Sequence, residues 1–251
     1  MRVKLFIKLT LVIAVTSACA INKKAFHASE DMAVISYNTM DQIKNNSSLQ
    51  ARVITDALMD TTIVDPPKKI KDHFMALNEV LLSKVVNEEQ IIELEQFQEY
   101  ATENANNYKN FDKIVNLGVT YASPEGYPVL KPGIKKTIME SFEYLPKNID
   151  AVIVVSNTFS LEQVATFEVG GVSTAGLGKQ AVRSDLTVQM VNRNGKKILY
   201  KTFLGISEGK LSSRENEFTL DQLAEQALDE SFSELNEFLI KESWEELKLT
   251  A

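Results

Sequence analysis

Runs of hydrophobic residues, some unbroken and some alternating with polar ones, predict a β-sheet in the second half of the chain. Residues 151–155 (Ala-Val-Ile-Val-Val) form an unbroken run that suits a strand buried on both faces. Two alternating segments flank Asn194-Gly195, a dipeptide that favours a tight hairpin because both residues accept positive φ. Residues 32–37 predict an earlier strand. We therefore expect a mixed sheet of about four to six strands that includes a C-terminal antiparallel hairpin.

The two faces of this hairpin differ in character. Taking Asn194 and Gly195 as the two loop residues pairs Arg193 with Lys196, Met190 with Leu199 and Leu186 with Phe203. One face is then apolar and consists of Leu186, Val188, Met190, Leu199 and Phe203. The other face is largely polar and consists of Thr187, Gln189, Tyr200 and Thr202.

The polar face is our candidate partner-binding surface. A half-polar ribbon belongs at the outer side of a sheet, where an exposed edge can pair with a strand of another chain. Two simpler explanations stay open: the face is solvated, or it is covered by the Asn-rich segment at residues 104–130.

Apolar residues at helical spacing predict helices that cover the sheet. Asp65 can cap a helix that begins with Pro66-Pro67, and Thr219-x-x-Gln222 is a capping box at the start of a long helix at residues 220–239. Their apolar stripes are Ile70, Phe74, Leu77 and Leu81, and Leu223, Ala227, Leu228, Phe232, Leu235 and Leu239. Further helices are predicted at 49–59, after Asn87 and from Pro132-Gly133. Helices that alternate with strands indicate an α/β (α+β) fold.

Residues 1–18 are typical of an export signal. Three basic residues, Arg2, Lys4 and Lys8, precede the apolar run at residues 9–15, and small residues follow it. A permanent membrane span needs about 20 apolar residues, and this run is much shorter.

Two cleavage sites compete at the end of this signal. Thr16-Ser17-Ala18-Cys19 resembles the bacterial lipobox, whose cysteine carries lipid and becomes the mature N-terminus. Ala18-Cys19-Ala20 also suits an ordinary signal peptidase, which would release a soluble protein after Ala20. We favour lipidation of Cys19, because a cysteine after such a short apolar run is otherwise hard to explain. Residues 19–30 are then predicted to be a flexible tether, and residues 31–251 a single domain.

The resemblance to the lipobox also indicates which of the two bacterial membranes holds the anchor. Lipoproteins of this kind that stay at the inner membrane often have Asp after the cysteine, whereas this chain has Ala20. The expected location is therefore the outer membrane, with the domain facing the periplasm.

Composition and charge restrict the partners. A hydrophobic content of 44% with 24% charged residues is ordinary for a globular protein. The net charge is −7, and removal of residues 1–18 leaves 24 basic against 34 acidic residues, a net charge of −10. A body this acidic repels phosphate backbones, so nucleic acid is not an expected partner. Cys19 is the one cysteine, which excludes a disulfide within the chain.

The sequence contains no recognisable catalytic or metal-binding arrangement. Its two histidines, His27 and His73, are not placed in an H-E-x-x-H motif, and His73 is expected at the edge of the core. The glycines between 170 and 178 lack the G-x-G-x-x-G order of a phosphate-binding loop. A group of acids is spread around one predicted helix and is expected to be solvated: Glu88, Glu89, Glu93, Glu95 and Glu99. We therefore predict no catalytic residue, no metal and no cofactor.

The order of these elements resembles a group of largely uncharacterised bacterial envelope lipoproteins. The matching residues are Ala33-Val34-Ile35-Ser36, Asp150-Ala151-Val152-Ile153-Val154, Gly176-Leu177-Gly178-Lys179 and Asn194-Gly195-Lys196. More distantly, the order of elements over about residues 31–240 is similar to that of the periplasmic domains of the curli-secretion lipoprotein and of the penicillin-binding-protein activator lipoproteins. The resemblance implies an envelope lipoprotein and carries over one functional residue, Cys19.

Three functions follow as hypotheses. The leading one is a membrane-anchored protein without enzymatic activity that binds another envelope protein, or itself, or supports an assembly. The alternatives are an exported enzyme such as a hydrolase and a periplasmic carrier of a small apolar ligand.

Overall fold

The computed structural model describes residues 21–40, 44–45, 63–77, 79–104, 121–163, 167–169, 172–174, 180–210 and 218–247. The strands in these ranges are β1 (Met32–Met40), β2 (Lys44–Asn45), β3 (Tyr121–Ala122), β4 (Ala151–Gln163), β5 (Phe167–Val169), β6 (Val172–Thr174), β7 (Gln180–Asn192) and β8 (Lys197–Ile206). The helices are α1 (Lys23–Ala28), α2 (Pro66–Met75), α3 (Glu79–Leu82), α4 (Glu89–Ile92), α5 (Glu95–Asn104), α6 (Lys135–Glu140) and α7 (Leu220–Leu247), with a 3₁₀ turn at Ser141–Glu143.

Six strands form one mixed sheet, as predicted. The order is β3-β1-β4-β7-β8, and β2 also pairs with β4. β1 and β2 run parallel to β4, whereas the β4–β7, β7–β8 and β1–β3 pairs are antiparallel. β5 and β6 pair with each other as a separate ribbon. The predicted α+β fold with a C-terminal antiparallel hairpin is confirmed.

One face of the sheet is covered by α7, with α2 beside it. The capping box is formed, because the Thr219 amide donates to Gln222 Oε1 and the Gln222 amide donates to Thr219 Oγ1. The predicted apolar stripe of this helix is buried throughout. α7 lies very close to β8 at Gly205, where an added Cβ would stand 1.9 Å from the carbonyl oxygen of Ala227. Glycine at this position therefore sets the distance between helix and sheet.

The N-terminus of α2 is formed as the sequence predicts. Asp65 accepts a hydrogen bond from the Lys68 amide and adopts a left-handed conformation with φ of 42°. The two prolines follow at the first helical positions, where the missing amide is not needed. The predicted apolar positions of this region are buried: Ile70, Phe74, Leu77 and Leu81.

The opposite face of the sheet is covered only in part. A second hydrophobic cluster packs the α4–α6 region onto the beginnings of β1 and β4 and consists of Ala33, Ile35, Ile91, Phe97, Tyr100, Leu130, Ile138, Phe142, Leu145, Ile149, Val152, Val154 and Val191. α6 begins at Lys135, later than the predicted start, because Gly133 has a φ of 90° and cannot continue a helix backwards.

The β7–β8 hairpin has the predicted strand register but a different turn. Met190 is opposite Leu199, and Leu186 is opposite Phe203. The predicted Arg193–Lys196 pair is wrong: three loop residues separate Asn192 from Lys196, and Gly195 alone takes positive φ.

A bulge in β8 restores the register. The pairs shift by one residue between Met190 and Val191, so Ile198 is an extra residue in β8. This residue offsets the longer loop, and both Ile198 and Leu199 are buried.

The prediction of a flexible tether at residues 19–30 is wrong for residues 21–30. Residues 23–28 form α1, capped by the side chain of Asn22, and Ile21, Ala25 and Phe26 are buried in the main core. The Asn22 amide also donates to the carbonyl oxygen of Ile198 over 2.7 Å. Too few apolar residues are present for the helical period to show in the sequence, and they are buried because β8 provides the surface.

Other predictions lie outside the described residues. Cys19 and the helix at 49–59 are among them, as is most of the glycine-containing segment at 170–178.

Candidate interaction surface

The structure places the polar face of the hairpin as the register requires. Thr187 is opposite Thr202, and Gln189 is opposite Tyr200. The hydroxyl oxygens of the two threonines lie 2.9 Å apart and share a hydrogen bond. The four residues chosen from the sequence therefore do lie together on one side of the sheet.

Gln189 is not accessible on this face. It is buried, and its Oε1 accepts a hydrogen bond from the Gly133 amide over 2.5 Å. The segment before α6 covers this end of the hairpin, and Gly133 lies beside Tyr200, where an added Cβ would be 3.5 Å from the hydroxyl oxygen. Tyr200 itself remains 40% exposed.

Two residues that sequence reasoning missed extend the surface. Leu204 and Ile206 are 45% and 40% exposed and follow Tyr200 and Thr202 on the same side of β8. The signal was present, because alternation about the buried residues Phe203 and Gly205 places every second residue outside. We call Thr187, Tyr200, Thr202, Leu204 and Ile206 the β8 surface.

Two backbone amides at the outer edge of β8 already have hydrogen-bond partners. The expectation that this edge is free to pair with a strand of another chain is therefore wrong for this part of β8. The Leu204 amide donates to Glu234 Oε2 over 2.7 Å, and the Ile206 amide donates to Glu230 Oε2 over 2.5 Å. Both carboxylates come from α7, one helical turn apart. A partner strand at residues 204–206 would have to displace them, so the β8 surface offers side chains rather than this part of its backbone edge.

A buried carboxylate lies beneath α2. Glu88 accepts a hydrogen bond from the Tyr37 hydroxyl over 2.5 Å and pairs with Lys71 Nζ at 2.6 Å. Its side chain is 9% exposed, so the prediction that all the acids of this region are solvated is wrong for Glu88, whereas Glu89, Glu93, Glu95 and Glu99 are exposed. Spacing along one helix cannot show that tyrosines from other elements surround one of its acids.

Two tyrosines beside this carboxylate stay protonated over a wide range. Burial raises the pKa of the Tyr37 hydroxyl well above its ordinary value, and the charge of Glu88 adds to the effect. The pKa of Tyr127 is raised in the same direction by burial and by Glu88. Tyr37 and Tyr127 also pack edge to face, with ring centroids 5.2 Å apart. The group is built as a structural hydrogen-bond cluster, in which a neutral hydroxyl and a cation stabilise one buried charge.

His73 lies at the edge of the core, where the sequence predicted it. Its Nε2 is 3.0 Å from Asp229 Oδ1 and 3.5 Å from Glu225 Oε1, and its ring lies 5.4 Å from the ring of Phe232. Lys69 pairs with the same Glu225, so these residues join α2 to α7. The arrangement connects two helices and contains no nucleophile.

An open cleft of about 640 Å³ lies between α5 and the segment that follows β3. Gln98, Ala101 and Thr102 line one side, and residues 121–127 and Val129 line the other. It contains none of the residues that the sequence singled out as a site.

Neither a metal site nor a membrane span is found in the described part of the chain. No three His, Cys, Asp or Glu side chains in these ranges are placed so that they could hold one ion. None of the helices described there is both long and apolar enough to cross a bilayer.

Comparison with known proteins adds no family to this description. The chain matches no protein-family model, and a search of curated proteins gives no match either.

Proposed function

We propose that the protein is a lipid-anchored component of the bacterial envelope that binds another envelope protein, or a second copy of itself, through the β8 surface. One observation carries the contact part of this proposal. Five large hydrophobic side chains are markedly exposed among the described residues, and three of them, Tyr200, Leu204 and Ile206, lie on the same side of one strand, with Thr202 between the first two. Scattered exposed hydrophobics are ordinary, whereas several of them on one side of one strand favour an interaction site.

The chemistry of the row fits contact through side chains. Tyr200 offers a large ring with a hydroxyl at its end, which is the type of side chain that dominates interface energies. The hydroxyls of Thr187 and Thr202 lie beside it and can exchange their mutual hydrogen bond for one to a partner. Because Glu230 and Glu234 occupy the amides of Ile206 and Leu204, a partner that packs on the face meets less competition than a partner that adds a strand.

The anchor part of the proposal rests on the sequence. The basic, apolar and small-residue segments of residues 1–18 precede Cys19 as they do in exported lipoproteins. Cys19→Ser should abolish labelling of the protein with a radioactive fatty acid. The variant protein should then be found in the soluble periplasmic fraction instead of the membrane. A wild-type protein that carries no fatty-acid label would overturn this part.

Site-specific photo-cross-linking in intact envelopes tests the contact part. A photoreactive residue at position 204 should give one dominant cross-linked species, identified by mass spectrometry, and the same residue at position 64 should not. Val64 is the matched control because it is exposed to a greater extent, 66%, and lies far from β8 in sequence.

Paired variants then ask whether the contact depends on the exposed apolar atoms. Leu204→Thr with Ile206→Thr keeps the preference for a strand and should reduce the cross-link from position 200 at least tenfold. Val64→Thr with Met75→Gln removes two exposed hydrophobics elsewhere and should leave the cross-link unchanged. Equal cross-linking in both pairs would mean that the β8 surface is only solvated.

The cleft beside α5 favours a second candidate, the carriage of a small ligand. A volume of about 640 Å³ is within the range of ligand pockets. Native mass spectrometry of the protein purified without denaturant should then show a constant added mass. Thr102→Trp, which fills the cleft from one side, should remove that mass, whereas Thr202→Trp should not.

A further inference from the structure

β8 is the end strand of the described sheet, so one side of its backbone faces away from β7. The amides of Leu204 and Ile206 point to this side, because they donate to side chains of α7 and not to β7. Backbone groups of residues two apart in a strand point the same way, so those of Tyr200 and Thr202 also face outward. We call the outward backbone of residues 200–206 the β8 edge.

The sequence of the β8 edge is well suited to pairing with an identical strand. Residues 200–206 read Tyr-Lys-Thr-Phe-Leu-Gly-Ile and include neither proline nor an acidic residue. Short edge segments that are rich in aromatic and β-branched residues and carry little charge tend to pair with copies of themselves. The exposed side chains of Tyr200, Leu204 and Ile206 flank this backbone and add apolar surface to it.

Two carboxylates from α7 occupy the part of the β8 edge where the exposed apolar side chains are adjacent. Glu234 accepts from the Leu204 amide over 2.7 Å, and Glu230 accepts from the Ile206 amide over 2.5 Å. A hydrogen bond from an amide to a carboxylate is stronger than one between neutral groups. Both glutamates are exposed, so water could reach these amides if the side chains were absent. Satisfying the two amides therefore does not require the glutamates, whereas excluding another strand does.

Two further contacts limit the β8 edge. The Asn22 amide donates to the carbonyl oxygen of Ile198 over 2.7 Å, so the edge is taken before residue 200. The Lys201 ammonium lies 4.0 Å from the ring centroid of Phe238 and 4.8 Å from that of Phe203, where β8 meets α7. A lysine on an edge strand is a common means by which proteins hinder edge-to-edge pairing. The glutamates thus belong to a strand that is protected along its length.

We infer that Glu230 and Glu234 keep the β8 edge closed against a second copy of this chain, and that two copies pair through antiparallel β8 strands when these carboxylates are removed. The inference concerns the backbone edge and not the β8 surface. It does not depend on the proposed partner or on the lipid anchor.

A second copy fits the β8 edge because the edge is self-complementary. An antiparallel pair centred on Phe203 places Tyr200 opposite Ile206 and Thr202 opposite Leu204 of the other copy. The outward side chains of both copies then lie on one face, and their apolar atoms adjoin. In the native chain this arrangement would break both carboxylate bonds of each copy and bring the displaced negative charges together, which opposes pairing.

Removal of the two carboxylates tests the inference. The full-length chain is purified in detergent, and its association is measured by sedimentation equilibrium. Glu230→Ala with Glu234→Ala should raise the association constant at least about tenfold over wild type. Glu99→Ala with Glu237→Ala is the matched control, because it removes two exposed carboxylates and changes the net charge equally. No increase with the first pair, or the same increase with both, would overturn the inference.

Glutamine variants separate the hydrogen bonds from the charge. Glu230→Gln with Glu234→Gln keeps an oxygen that can accept from the Leu204 and Ile206 amides but removes both charges. Its association should therefore lie between those of the wild type and of the alanine pair. If it equals that of the alanine pair, occupation of the amides does not close the β8 edge.

Hydrogen exchange shows where the alanine pair associates. The amides of Tyr200 and Thr202 should exchange at least about tenfold more slowly in the associated form than in the dilute monomer, because they gain backbone partners. The Leu130 amide, which is bonded to Ser36 Oγ, is the internal control and should not change. Association without slower exchange at the edge would also overturn the inference. Cross-linking of wild-type envelopes decides the proposed contact separately, so the two can fail independently.

Discussion

The two faces of the central sheet are built in different ways. The face beneath α7 is apolar over most of its length, and its side chains from β7 and β8, among them Leu186, Val188 and Phe203, are completely buried. The opposite face is apolar only where β1 and β4 begin. Beyond that region it carries a buried polar network and then the exposed β8 surface. The first face is therefore buried along most of its length, whereas the second is buried in part and leaves the β8 surface accessible to a partner.

The polar network shows how the second face is closed without apolar contacts. Ser156 donates to Asn38 Oδ1, Asn38 donates to the carbonyl oxygen of Leu130, and Ser36 donates to that of Pro128. The Leu130 amide in turn donates to Ser36 Oγ. These bonds fix the segment at 128–130 on the sheet, and each buried polar atom among them has a partner, which is the condition for such a network to be tolerated.

The largest effect should come from the face beneath α7. Phe232→Ala removes a buried ring that packs against the ring of His73, and we expect it to lower the free energy of unfolding by about 3–5 kcal/mol. Phe238→Ala, on the same helix but only partly buried, is the control and should cost clearly less. Urea denaturation followed by circular dichroism measures both. Equal losses would show that the deeper burial of Phe232 does not make it the more important of the two rings.

A smaller effect is expected from the polar network. Asn38→Ala leaves the Ser156 hydroxyl without its acceptor and the Leu130 carbonyl without its donor, which should cost about 2–3 kcal/mol. Hydrogen exchange of the Leu130 amide should also become faster, because the segment at 128–130 loses the hydrogen bond from Asn38 to the Leu130 carbonyl oxygen.

Asn148→Ala is the matched control for this change. Its exposed side chain donates to Asp31, and its loss should stay within about 0.5 kcal/mol. If Asn38→Ala leaves the exchange of the Leu130 amide unchanged, the network does not hold that segment.

The difference between the faces also explains what the sequence could predict. The stripe of α7 and the alternation of β7 and β8 report one-sided burial directly, because their period matches their secondary structure. The hairpin register followed from this alternation and survived a different turn, since a one-residue slip would have placed Leu186 and Phe203 on the outer face.

The second face could not be predicted in this way, since its burial depends on segments distant in sequence. Gln189 alternates with apolar residues and yet is buried, because Gly133, fifty-six residues away, donates to it. Glu88 is buried because Tyr37 arrives from β1 and Lys71 from α2. α1 was missed for the same reason: Phe26 is buried by contact with the rest of the core, and six helical residues show no period of their own.

The smallest effect should come from the exposed part of the second face. Its strand residues alternate along the chain with residues of the apolar face. Thr187→Val with Thr202→Val removes both hydroxyls of an exposed pair, so no buried polar atom is left without a partner, and valine suits a strand at least as well as threonine. The free energy of unfolding should therefore change by less than about 0.5 kcal/mol. Leu186→Ala, the adjacent residue on the apolar face, should cost about 2–5 kcal/mol in the same urea titration because it is completely buried. A double threonine variant that loses as much stability as Leu186→Ala would mean that the β8 surface is part of the folding core. In that case it would not be free to bind a partner.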